Sequence, residues 1–160
     1  SEGLATDIQI AVYAPSGQLY TSGEITGNSL TLSVPVEIGG YSVAALVNGT
    51  ASLGSCVTFD KTTGLLSALT SNGLSNNELE MFGSVSSQTF HAGKPCTVPV
   101  TRIPAKVEID KIVNMIPSKP DFTVKSVYLI NVNTSSSVTG VVSSAVWKQQ
   151  RKYWWKKAMN

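Results

Sequence analysis

The chain is 160 residues long, enough for one domain with a full core and short for two ordinary ones. Charged residues make up 14% of it, against about 25% in typical soluble domains, and the abundant Ser, Thr, Gly, Asn and Val favour strands and turns over long solvated helices. Five cations, Lys148, Arg151, Lys152, Lys156 and Lys157, lie in residues 148–160, so the formal net charge of +2 becomes −3 over the remainder; no global basic field points to a nucleic-acid partner.

No run of about eighteen apolar residues is present to span a membrane, and the opening SEGLATDIQI lacks the basic and apolar regions of a signal peptide. The expectation is a chain that is either cytosolic or already processed.

Period-two alternation, the mark of strands with one buried face, dominates. Ile8, Ile10 and Val12 alternate with Asp7, Gln9 and Ala11 up to the turn Pro15-Ser16-Gly17. After Gly27-Asn28, Leu30, Leu32, Val34 and Val36 predict a second strand, with Pro35 on its outward parity as at a sheet edge. Tyr41, Val43, Ala45 and Val47 predict a third, closed by Asn48-Gly49. A helix is predicted between Asp60 and Asn72, with Asp60 as its cap and Leu65, Leu66 and Leu69 on one face.

Leu79, Met81 and Val85 predict a fourth strand. The apolar parity then shifts from Cys96, Val98 and Val100 to Ile103, Ala105, Val107 and Ile109. Such a shift predicts a bend near Thr101 to Pro104, where a strand crosses from one sheet to another. Phe122, Val124, Tyr128, Ile130 and Val132 predict a long strand, Asn133 to Ser137 a loop, and Val138 to Val146 one further strand. About seven strands with short turns describe an all-β, two-sheet sandwich with one short helix. Residues 1–146 form the domain, and residues 147–160 a basic aromatic tail.

The residues offer little to catalysis. His91 is the only histidine and reads as an ordinary loop residue, so neither a metal cluster nor a hydrolase triad has a set of parts. Glu78 with Glu80, and Glu108 with Asp110, sit at strand spacing and read as a solvated sheet face with Lys106 as counter-charge. No GxxxxGK[ST] or GxGxxG stretch signals a nucleotide. Catalytic, cofactor-binding and metal-ligating residues are therefore none, and the expectation is a chain that is not an enzyme. Cys56 and Cys96 lack CxxC spacing; a disulfide in an exported protein and two unbonded thiols are both open. In the tail, Trp147, Tyr153, Trp154 and Trp155 interleave with the cations, a mix that suits an interfacial segment or a phosphate-binding arm as well as a plain terminal linker.

Several segments, in order, resemble the N-terminal domain of the fimbrillins, pilus subunits of Bacteroidales-type bacteria: IQIAVYAPSGQLY, GGYSVAALVN, ELEMFGSV, VTRIPAKVEIDKI and FTVKSVYLINV. The resemblance spans roughly residues 6 to 133. It implies a transthyretin-like sandwich, exported to the cell surface across the outer membrane, that polymerises into a fimbria by donor-strand exchange and serves cell adhesion. Other pilus subunits are then its partners, with a host surface protein or glycan as a further one. Membrane contact is implied only through the lipid anchor of a precursor. The missing strand would precede Ile8, Ile10 and Val12, which makes these three the candidate wall of a donor-strand groove. A tip adhesin or carbohydrate-binding sandwich is the alternative. The chain departs from the family at its start, which looks like a processed form, and at its end, where the second sandwich domain of the family is not seen.

Overall fold

The computed structural model describes residues 5–25, 29–68, 78–104, 109–113, 115, 125–127 and 135–140. Among them are seven strands, in two antiparallel sheets, and one short helix, as an all-β sandwich requires. The strands are β1 (Ile8–Tyr13), β2 (Leu19–Glu24), β3 (Tyr41–Val47), β4 (Leu66–Ala68), β5 (Met81–Gln88), β6 (Thr101–Arg102) and β7 (Ser135–Ser137), with the helix α1 at Phe59–Thr63. The larger sheet has the order β2-β1-β3-β5-β6, and β4 pairs with β7 in the smaller one.

Among the described residues the expected and observed strands coincide in β1, β3 and β5 but not elsewhere. Residues 30–36 and 96–100 form no strand, although Leu32, Val34 and Val98 do face a core. Instead β2, which shows no clear alternation, pairs with β1 over Gln9–Tyr13. The segment Asn133 to Ser137, expected as a loop, supplies β7. The expected strands over Ile103 to Ile109, Phe122 to Val132 and Val138 to Val146 fall largely outside the described residues, as do residues 147–160.

The helix is shorter and starts earlier than its leucines suggested. Thr58, not Asp60, is the cap: its φ is −135° and its hydroxyl accepts from the Lys61 amide at 3.3 Å. Asp60 lies in the first turn, where a negative charge suits the helix dipole. Gly64 ends it, and Leu66–Ala68 pairs with Ser135–Ser137 instead of continuing the helix. Threonines and a glycine leave little helical preference here to compete with strand pairing.

Both faces of the larger sheet are buried, where alternation had implied one. On one face Ala11, Tyr13, Ala44, Leu46 and Phe82 pack with Leu53 and Val138, helped by Phe59 and Leu65 from the helical segment. On the other, Val12, Tyr41 and Val43 pack with Ile10, Leu32, Val34, Val85, Phe90 and Val98. Full burial of a side chain such as Leu46 contributes about 1.5–3 kcal/mol, and β3 is buried at nearly every position.

Polar groups drawn into the first face are paired. Gln9, expected on a solvated face, is buried and donates from Nε2 to the Ala51 carbonyl at 2.9 Å, while its Oε1 accepts from the Leu53 amide at 2.9 Å. Glu80, also expected to be solvated, is only 2% exposed and accepts from the Ser67 hydroxyl, tying β4 to the approach to β5. Tyr13 shares a hydrogen bond with Thr62 and meets Phe59 edge-on at 5.5 Å. Burial raises the Tyr13 pKa above its ordinary value; the Thr62 hydrogen bond opposes this and Cys56 adds to it.

Asn48 closes β3, as expected, and also fastens the start of β1. With φ at 54° it accepts at Oδ1 from the amide of Thr6 at 3.0 Å and of Asp7 at 3.3 Å, and donates from Nδ2 to Leu79. Three chain segments thus meet at one carboxamide.

The two cysteines are free thiols, so the disulfide is not formed. Cys56 is buried on the Tyr13 side, whereas Cys96 is exposed on a segment whose Phe90 and Val98 cover the opposite face. The sheet lies between them. A thiol reagent applied to the folded protein is expected to modify Cys96 rapidly and Cys56 only on unfolding. Equal protection of both, released only by reductant, would contradict the structure.

Candidate functional site

Ile8, Ile10 and Val12 share the second face of β1, as their spacing required. They do not border a vacant strand position, because β2 and β3 hydrogen-bond to both edges of β1. Val12 and Ile10 pack in a cluster filled by this chain's own Leu32, Val34 and Val98. Any part they take in a groove is through side chains alone.

Among the described residues the larger sheet has two open edges, the outer side of β2 and the outer side of β5 beyond its pairing with β6. The inner edge of β5 pairs with β3 from Met81 to Gln88, but among the described residues its outer edge meets β6 only at Met81 and Phe82. Beyond these, Ser86 and Ser87 are exposed, and the Ser86 carbonyl accepts from the Gln88 side chain at 2.8 Å. Apolar side chains flank the run at each end. Val100 is partly exposed beside Gly83, and Val36 and Ile38 are about half exposed where Glu37 donates to the Phe90 carbonyl at 2.7 Å. An edge with backbone groups facing solvent and apolar side chains at its margins can accept an added strand.

His91 is a loop residue, as expected, but it is not isolated: its Nδ1 lies 2.9 Å from Glu37 Oε2, with both side chains well exposed. Among the described residues no three His, Cys, Asp or Glu side chains gather as metal ligands. A small depression of about 310 Å³ beside β2, lined by Ser22, Gly23, Glu24, Ser52 and Gly54, carries no reactive grouping. Glu108 and the tail aromatics lie outside the described residues.

The cover on the second face depends on glycine. Gly83 stands opposite Ala45, and a Cβ there would overlap the carbonyl of Pro99, which crosses directly above it. Backbone cannot yield as a flexible side chain can. The substitution Gly83→Ala is therefore expected to cost about 1–3 kcal/mol and to lower Tm by roughly 2–12 °C. A thermal melt indistinguishable from that of the parent protein would show that residues 98–100 do not lie over β5.

No protein-family model matches the chain, and no curated protein matches it. Among solved structures, the chain is similar to a fimbrial assembly protein from Parabacteroides distasonis ATCC 8503, with a TM-score of 0.56 and 16% sequence identity. The match covers 84% of this chain and 59% of that one, so the chain spans less than two-thirds of the length of that protein. At this identity the likeness is one of fold.

Proposed function

We propose that the chain is a non-enzymatic structural subunit, or a pilus-associated protein, of a bacterial surface fimbria, and that it joins other subunits by strand addition. The observation that carries this reading is the unladdered outer edge of β5 over Ser84–Gln88, where Ser86 and Ser87 are exposed, bordered by Val100, Val36 and Ile38 among the described residues. Likeness of fold to a fimbrial assembly protein supports it. In such a union, backbone hydrogen bonds supply affinity, and apolar margins that receive alternate side chains set the register. Donor-strand exchange along this edge, a role in cell adhesion and a place on the outer surface belong to the same proposal.

Two results are expected. Immunogold labelling with an antibody to this chain decorates surface filaments, and Ser86→Lys reduces incorporation, because charged residues along an edge oppose strand pairing. The substituted residue is exposed, so the melting temperature of the isolated chain should stay within about 2 °C. Label confined to the cell interior would refute the fimbrial reading. Normal incorporation of Ser86→Lys would refute this edge as the joining surface.

A further inference from the structure

We infer that the end of the larger sheet at Tyr20, Tyr41 and Phe90 is a glycan-binding surface, with Tyr20 stacking on one sugar ring and the Glu37–His91 pair holding the hydroxyls of the next.

Two irregularities converge on this end. Between Val12 and Tyr13 the register of β1 with β2 slips by one residue, so that Leu19 stands opposite Tyr13 and Tyr20 becomes the extra residue. Leu19 then packs into the core, while Tyr20 is 49% exposed. Across the sheet, Ser86 and Ser87 of β5 stand against the single Ser42 of β3, and Ser87 has a φ of 55°. Bulges re-aim side chains and gather beside functional sites. Both of these lie where β3 begins at Tyr41.

An aromatic row results. The rings of Tyr20 and Tyr41 meet at 5.9 Å and 88°, and those of Tyr41 and Phe90 at 5.7 Å and 50°. Tyr41 is buried, so it anchors Tyr20 while occupying at most one of its faces. An open, anchored phenol face suits the polarised C–H bonds of an apolar pyranose face, which are drawn to the negative face of the ring. That chemistry suits a pyranose with one apolar face, as galactose has.

At the far end of the row sits a polar pair. Glu37 has a φ of 61°, costly for a residue with a Cβ, yet its side chain is 66% exposed and gains nothing from core packing. The unusual backbone is pinned by its amide, which donates to Phe90, and it presents the carboxylate to His91 Nδ1 at 2.9 Å. Carboxylate oxygens have lone pairs beyond those used by the imidazole, and Nε2 lies on the opposite side of the His91 ring. Sugar hydroxyls are complementary to both. Two ring spacings separate Tyr20 from Phe90, so a disaccharide, and not a single sugar, is the unit that fits. The other polar pairings described above, Ser67 with Glu80 and Tyr13 with Thr62, are buried and closed to such a ligand.

Saturation-transfer NMR on the full chain with lactose and N-acetyllactosamine tests this. Transfer to the galactosyl protons is expected. Tyr20→Ala should weaken binding about tenfold or more, Tyr20→Phe should leave it within about threefold, and Glu37→Gln should weaken it severalfold. Both positions are exposed, and an unchanged circular dichroism spectrum checks the fold. No transfer to either sugar, or transfer unaltered in Tyr20→Ala, would overturn the inference. Because Tyr20 is remote in strand order from the β5 edge, Tyr20→Ala should still enter fimbriae, which separates this outcome from a failure of assembly.

Discussion

The middle of the larger sheet has no solvent face, and that constraint governs the rest of the structure. β3 runs between β1 and β5, and five consecutive residues, Val43 to Val47, are buried. Even and odd positions alike must therefore meet other protein. Small residues make this feasible: Ala11 and Ala44 admit Leu53 and Val138 on one side, and Gly83 admits the Pro99 backbone on the other. Close approach from both sides maximises dispersion contacts. It also forces every polar group in the layer to find a partner, as Gln9, Glu80 and Tyr13 do.

Double burial also explains which parts of the fold could be read from the chain. β1 and β3 were legible because Ile10, Val12, Tyr41 and Val43 keep a strict two-residue period. The burial of Gln9 was not, since a polar residue at an alternate position reads as solvated until its backbone partners are known. β2 was missed because Leu19-Tyr20-Thr21-Ser22-Gly23 has no alternation to read; its place is set by pairing with β1 and by Leu30, whose side chain lies against Gly23. Conversely, Leu30, Leu32 and Val34 alternate, and Leu32 and Val34 face a core, without forming a strand. Alternation reports which side of an extended segment is apolar, and not whether its backbone is laddered. The helix misled for a related reason: Leu66 had a helical partner in sequence, but Ser137 claimed it in space.

The candidate surfaces were harder still. An open edge is a property of the sheet order, and no residue in Ser84–Gln88 announces it. Ile8, Ile10 and Val12 were chosen from the position of a strand implied by resemblance, and the pairing of β1 with β2 removes the vacancy that choice required. Tyr20 had no signal in the sequence, because only the slipped register sends Leu19 inward and leaves the phenol in solvent. Once the sheet is closed on both faces, what remains for partners is its rim. The β5 edge and the bulged aromatic end are two parts of that rim with different chemistry, one of backbone groups and one of ring faces and a carboxylate.

Native-state hydrogen exchange tests the doubly buried sheet most directly, since exchange of a central strand requires the opening of both covers. Amides of Val43 to Leu46 are expected to exchange only through global unfolding, more slowly than those of edge strand β2 and far more slowly than those of the two-stranded β4 and β7. Exchange at Val43 to Leu46 as fast as at Tyr20 to Gly23, under conditions where the protein stays folded, would contradict a sheet closed on both faces.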